Sequence, residues 1–194
     1  NFNVTASPLE LVLDDANFTN AATGEKLLFI KSGRLGLTIL DLMSWKLTRD
    51  ISIDKTDISG AELWINVDEN GRSNFSGLKF VEDEGGSAVN FKYDSVNVSV
   101  RDSLVHFGDI SREISGEGRE LNITLTPRTD KTASGEPRFD LFLAADNSSF
   151  TYDAKAFESI GIRAKAAVDE LGADVESVDI TSPVGTIAVN GRVD

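Results

Sequence analysis

The sequence predicts an all-β, mainly antiparallel protein, and three observations carry that reading. Apolar residues recur at every second position in one segment after another. Short clusters rich in Gly, Asn, Asp and Ser separate those segments. Only two stretches show helical spacing, so at most one or two short helices are expected.

The elements follow in order. The opening NFNVTASPLELVL already reads as strand. GRLGLTIL places Leu35, Leu37 and Ile39 on one face, with Arg34, Gly36 and Thr38 opposite. LDLMSWKL spaces Leu40, Met43 and Leu47 at helical intervals, which predicts a turn or two of helix. AELWINV sets Ala61, Leu63, Ile65 and Val67 against Glu62, Trp64 and Asn66. RELNITLT does the same with Leu121, Ile123 and Leu125. RFDLFLA does so with Phe139, Leu141 and Leu143. FESIGIRAKAAVDELGA fits two patterns. Helical spacing aligns Phe157, Ile160, Ala164, Ala167 and Leu171. Strand spacing aligns Ile160, Ile162, Ala164, Ala166 and Val168, and the Ile-Gly-Ile centre tips the reading to strand. VESVDIT adds Val175, Val178 and Ile180 less regularly. Turns are expected at ATGEK, ENGRS, DEGGS, SGEGR, ASGEP and VNGR, for roughly ten to twelve strands. GRLGLTIL is echoed once by GRELNITL, which suits a meander that reuses one strand recipe.

Composition bounds the function. The 194 residues are 40 % hydrophobic and 26 % charged, enough for a substantial apolar face on one elongated β domain, 1–194, with possible sub-units 1–80 and 88–194. The net charge of −13 disfavours nucleic acid, which needs a basic footprint, and electrostatic docking on anionic lipid. The absence of cysteine excludes disulfides, thiolate metal sites and a Cys nucleophile. The longest apolar run is LLFI, far short of the roughly 20 residues of a membrane span. The chain opens on a strand without Met, and is read as a piece of a longer protein.

Chemistry is hard to find. Asp68, Glu69 and Asn70 before Gly71 resemble part of a calcium loop, but the EF-hand register and its distal Glu are absent. Asn70-Gly71 is instead a strong hairpin signal, because both residues accept positive φ. LDDAN and VEDEGG read as solvated acidic turns. His106 is the only histidine, and Ser103 and Asp109 could in principle join it. Yet no G-x-S-x-G elbow is present, and a His between Val105 and Phe107 fits the wet face of a strand. No enzyme activity, cofactor or metal site is expected. Six N-x-S/T sequons, at Asn3, Asn17, Asn74, Asn97, Asn122 and Asn147, are read mostly as strand polarity. The apolar faces must be buried somewhere. Two sheets can pack as a sandwich, the commoner solution, or one sheet can curl into a groove that shelters an apolar ligand. Periodicity does not separate them.

The order of segments adds a resemblance. Ile51, Ile53, Ile58, Ala61, Leu63, Ile65, Asp68, Gly71, Asn74 and Phe75 fit a pattern I-x-I…I-x-x-A-x-L-x-I-x-x-D-x-x-G-x-x-N-F. The stretches YDSVNVSVRDSLVHFGD and RELNITLTP follow. The chain closes on Ser182, Pro183 and Gly185, then Gly191 and Val193. In this order the segments resemble the AsmA/TamB superfamily of Gram-negative envelope proteins, over nearly the whole chain. Each motif is degenerate; their order is the specific part.

The resemblance implies a curled amphipathic sheet, or β-taco, with an apolar groove. It implies a periplasmic segment of a protein tethered to the inner membrane by an N-terminal helix outside this sequence. It implies transport of phospholipid between the inner and outer membranes or, alternatively, a scaffold that assists assembly of outer-membrane β-barrel proteins. Phospholipids and an Omp85-class outer-membrane protein are the implied partners. At residue level it implies a lipid-binding surface: Leu35, Leu37, Ile39, Leu63, Ile65, Leu121, Ile123, Leu125, Leu141 and Leu143.

Overall fold

The computed structural model describes residues 2–6, 9–39, 49–76, 89–169 and 172–193. These form eleven strands: β1 (Phe2–Ala6), β2 (Leu9–Thr19), β3 (Lys26–Ile39), β4 (Arg49–Val67), β5 (Val89–Lys92), β6 (Asn97–Asp109), β7 (Ile114–Lys131), β8 (Pro137–Tyr152), β9 (Lys155–Asp169), β10 (Gly172–Ser182) and β11 (Gly185–Val193). All of them belong to one open sheet, ordered β1-β2-β3-β4-β6-β7-β8-β9-β10-β11, with β5 beside β4. The expectation of an all-β, mainly antiparallel architecture holds. Among the described residues no second sheet packs on the first, so the alternation resolves as a curled sheet and not a sandwich.

Every neighbouring pair is antiparallel except at β4. There β5 runs parallel to Arg49–Ser52, and β6 runs parallel to the rest of the strand from Lys55 to Val67. Antiparallel neighbours need only tight turns, and the turns follow their chemistry. Asp68 makes an Asx turn: its Oδ1 accepts the backbone N–H of Asn70 (2.8 Å) and of Arg72 (2.9 Å). Gly71 takes φ +75°, as a left-handed turn position favours. The ambiguous stretch from Phe157 is strand β9. Two expected turns are not turns. SGEGR lies inside β7 and VNGR inside β11, while the chain reverses at 110–113 and 183–184. Gly116 serves close approach within the sheet: a Cβ there would sit 2.7 Å from the Ser149 carbonyl oxygen. The helix expected over Leu40–Leu47 and the DEGGS turn lie outside the described residues.

One feature organises the sheet. Asp15, Asp102, Glu120, Asn147 and Ser159 all have φ between 49° and 56°, and Gly60 has φ 65°. They lie on β2, β6, β7, β8, β9 and β4, and the strand registers bring them into one band across the sheet. The register shifts between Val100 and Ser103 and between Ala145 and Ser148 fall on the same band. A left-handed residue within a strand adds a step to the alternation and bends the strand, as a bulge does. The band is therefore a crease that divides the sheet into two wings.

The crease also resets which residues face inward. Gly33 of β3 makes this visible: a Cβ there would meet Ile30 Cγ2 at 3.2 Å and Leu13 Cβ at 3.5 Å. Ile30 and Gly33 thus share a face three residues apart, where simple alternation would separate them. The most buried apolar positions line this fold. They include Ile30, Ala61, Leu121, Ala145 and Ile160, with Ser103 among them. Along this band side chains of neighbouring strands cover one another.

Candidate functional site

Beyond the crease on the long wing, apolar residues continue from strand to strand without a break. Leu13 pairs with Gly33, Gly33 with Ile58, Ile58 with Val100, and Val100 with Ile123. Ile123 pairs with Leu143, Leu143 with Ala164, Ala164 with Val178, and Val178 with Val189. A second row runs Leu11, Leu35, Thr56, Val98, Leu125, Leu141, Ala166 and Val175. Directly paired residues share a face, so these rows form one wall. Its larger side chains are half-buried: they pack on their cross-strand neighbours and keep their outer surface open. In a closed core they would be covered.

Six of the expected surface residues meet on this wall: Leu35, Leu37, Ile123, Leu125, Leu141 and Leu143. Leu121 sits at the crease, opposite Ser103, and is buried rather than open. Leu63 and Ile65 lie across the crease on the short wing, where Leu28, Leu63 and Val105 form a row and Ile65 pairs with Phe107. Ile39 pairs with Ile51 in the backbone ladder. Sequence reasoning missed Leu11, Leu13, Val98, Val100 and Ile162 on the same wall. The signal for them was present, since each lies in an alternating run.

The opposite face is polar and cross-linked by charge. Lys55 pairs with Asp57 (2.6 Å), Arg128 with Asp130 (2.7 Å) and Asp140 (2.8 Å), and Arg163 with Asp146 (3.2 Å). Exposed pairs of this kind contribute little each, and their role is to keep this face wet. His106 belongs to it. Its ring stacks on Trp64 with centroids 5.3 Å apart, Nδ1 lies 3.3 Å from Glu117 Oε1, and Lys26 Nζ sits 5.4 Å from the Trp64 ring centre.

Ser103 and Asp109 do not join His106. The Ser103 hydroxyl accepts the Ala61 N–H (3.1 Å) and donates to the Arg101 carbonyl (2.9 Å), closing the ladder at the crease. The Asp109 carboxylate is 2 % exposed and accepts from Ser111 Oγ (2.6 Å), the Arg112 N–H (3.1 Å) and Arg112 Nη1 (2.9 Å). The Ser111 hydroxyl first, then Arg112, hold its carboxyl below the usual carboxylate range. It fastens the turn after β6.

No protein-family model matches the chain, and no curated protein matches it.

Among the described residues no group of acidic side chains and histidine converges as metal ligands. At Asp68 the carboxylate serves the hairpin, and the Arg72 backbone N–H keeps its pKa below the ordinary value. Asn74, an incidental sequon by sequence, is a buried pin. Its Nδ2 donates to the Trp64 carbonyl (2.8 Å), its Oδ1 accepts the Asn66 N–H (3.0 Å), and its carbonyl accepts from Asn20 Nδ2 (2.9 Å). The arrangement as a whole offers an extended aliphatic wall with a wet back. Such a surface can shelter apolar chains.

Proposed function

We propose that the chain is a segment of a periplasmic AsmA/TamB-like protein of outer-membrane biogenesis. It holds phospholipid acyl chains in its apolar β groove during transport between the inner and outer membranes. One observation carries the reading: an aliphatic wall crosses nine strands, β2 to β4 and β6 to β11, and stays half-open. Eight inter-strand steps give a wall of about 38 Å. That exceeds the depth of one leaflet's acyl layer, about 15 Å. Sheltering each methylene is favourable by about 0.8 kcal/mol, so an acyl chain could cross water along the wall while its headgroup stays at the rim. Aliphatic residues of similar size give weak, uniform binding, which suits passage rather than retention. In this reading the whole protein is tethered to the inner membrane by an N-terminal helix and docks an Omp85-class partner. This segment itself performs no catalysis.

The test is mass spectrometry of lipids extracted from the chain purified out of a Gram-negative envelope. Phospholipid should co-purify, and an Ile123→Asp, Leu143→Asp double variant should lose it at unchanged circular dichroism. A chain that carries no lipid, and takes none from vesicles, contradicts the reading.

A second reading is supported by the β11 edge. Ile187 is 62 % exposed and Val189 55 %, on an edge strand without proline or inward charge, and Val184 in the turn before it is 96 % exposed. A scaffold that aligns strands of outer-membrane β-barrel proteins would use such an edge. Saturable binding of barrel-strand peptides, lost in Val189→Lys, would favour it.

A further inference from the structure

Resting on the groove reading, we infer that the short wing carries a seat for a single acyl chain of the phospholipid, floored by Gly116 and Gly118 of β7, with Arg112 and Lys155 at its mouth to take the lipid phosphate. Pairing fixes the face. Phe107 and Phe150 both oppose Gly116, Val105 opposes Gly118, and Leu63 opposes Val105, all on the apolar side. Phe107, Phe150 and Phe157 are 37 %, 41 % and 43 % exposed, so no described element covers them.

The rings set the width. Phe150 and Phe157 are paired on neighbouring strands, and their rings stack at 4.5 Å with an interplanar angle of 14°. Rings that stack across one inter-strand step, about 4.8 Å, turn their faces along that step. The free face of Phe150 looks over β7 towards Phe107, two steps or about 9.5 Å away. A methylene chain touching both sides needs about 3.5–4.0 Å to each, so one chain fills this width and two do not. From Ile114 to Gly118 the floor runs about 14 Å, close to the depth of one leaflet's acyl layer, about 15 Å. The buried Leu121 closes its inner end.

The two glycines differ in a way that points to use. Gly116 is demanded by the fold, since a Cβ there would press on the Ser149 carbonyl oxygen. At Gly118 a Cβ would meet only Val105 Cβ, at 3.9 Å, and the backbone is not left-handed. Glycine weakens a strand, so the fold gives no reason for the missing side chain, and an open seat does.

The mouth carries charge on the same face. Asp109 alternates with Phe107 and is buried; it holds Arg112 Nη1 at 2.9 Å while the Arg112 side chain stays 74 % exposed. Lys155 opposes Tyr152 and alternates with Phe157, and no carboxylate pairs with it among the described residues. Glu113 and Asp153 stand in the turns beyond. A guanidinium with donors to spare and an unpaired ammonium, at the open end of an apolar seat, complement a phosphate ester joined to an acyl chain.

The experiment places tryptophan in the wall of the seat, Phe107→Trp, or on the long wing, Leu125→Trp. Each chain is mixed with vesicles of phosphatidylcholine brominated at mid-chain, and the emission gained over the wild type is followed. Both reporters should be quenched. Adding Gly118→Val should abolish quenching at Phe107→Trp, keep it at Leu125→Trp, and leave or raise the urea midpoint. Gly118→Ala, the smaller addition, should lose part of the quenching and decides the matter should the valine lower the midpoint. Lys155→Glu should raise the half-saturating lipid concentration at Phe107→Trp about fivefold at about 0.1 M salt. Quenching at Phe107→Trp that survives both glycine substitutions overturns the seat, as does quenching at Leu125→Trp alone; either result leaves the groove reading standing. An unchanged half-saturation in Lys155→Glu overturns the phosphate contact. No quenching at either reporter overturns seat and groove together.

Discussion

The long wing is lined mainly by leucine, isoleucine, valine and alanine, with Gly33, Thr56 and a buried Phe139 among them, while the short wing carries exposed phenylalanine and tyrosine in the same alternation. On the long wing the rows through Ile123 and Leu125 are mostly aliphatic, and their leucines and isoleucines are half-buried. On the short wing Gly116 pairs with both Phe107 and Phe150, and Phe150 stacks on Phe157 at 4.5 Å. Phe107, Phe150, Phe157 and Tyr152 are all exposed. The back of the short wing also differs, with the Trp64–His106 stack in place of the arginine–carboxylate ladder. The long wing is thus a smooth aliphatic wall and the short wing a wider, partly aromatic lip. The crease joins them and is lined by the buried Ile30, Ala61, Leu121, Ala145 and Ile160.

The largest effect should come from breaking that joint. Ile30→Ala removes a buried side chain at the crease and should cost about 3 kcal/mol. Urea denaturation measures it, and a cost under about 1 kcal/mol would move the core away from the crease. Next is the left-handed backbone itself. Glu120 has φ 51°, so Glu120→Val should destabilise by about 1–2 kcal/mol, whereas Glu120→Gly should be neutral or slightly stabilising. Equal losses in both variants would place the cost in the Glu120 side chain, which accepts from Asn147 Nδ2 at 3.1 Å. Smaller again is the open wall: Leu125→Ala, at a half-buried site, should cost about 1 kcal/mol in the same titration. A loss equal to that of Ile30→Ala would mean that the long wing is covered.

The smallest effect is confined to acid. Asp109 has a folded pKa below its unfolded value of about 3.9. Its contribution is therefore complete above about pH 4 and is lost as pH falls through the folded pKa. The difference in urea midpoint between the wild type and Asp109→Asn should stay constant near neutrality and shrink below about pH 4. A difference that grows in acid contradicts the assignment.

The strands were legible because alternation is a direct record of one wet and one dry face. It grouped the apolar residues of β3, β7 and β8 on one face of each strand, and resolved β9 as strand against its alanine and lysine content. The crease was not legible. Its left-handed residues are Asp, Glu, Asn and Ser as well as Gly, types that carry no fixed signature inside a strand. The reset of phase at Gly60 and Asp102 therefore appears only in the register. Gly116 in SGEGR misled for the converse reason, since glycine marks close backbone approach as readily as a turn. Asn20, Asn74 and Asp109 were missed as buried pins because polar residues near turns usually face water. The pattern of the wall was readable; the absence of a covering layer among the described residues was not, because a sandwich writes the same pattern.

The central claim is that one apolar face runs across the crease from both wings and meets acyl chains. The most direct test places a photo-crosslinking residue at Ile123 or Leu63, one on each wing, and at their strand neighbours Thr124 and Glu62, then irradiates with phospholipid vesicles. The account predicts lipid adducts from Ile123 and Leu63 and none from Thr124 or Glu62. Adducts that follow the other face, or that form on one wing only, would contradict it.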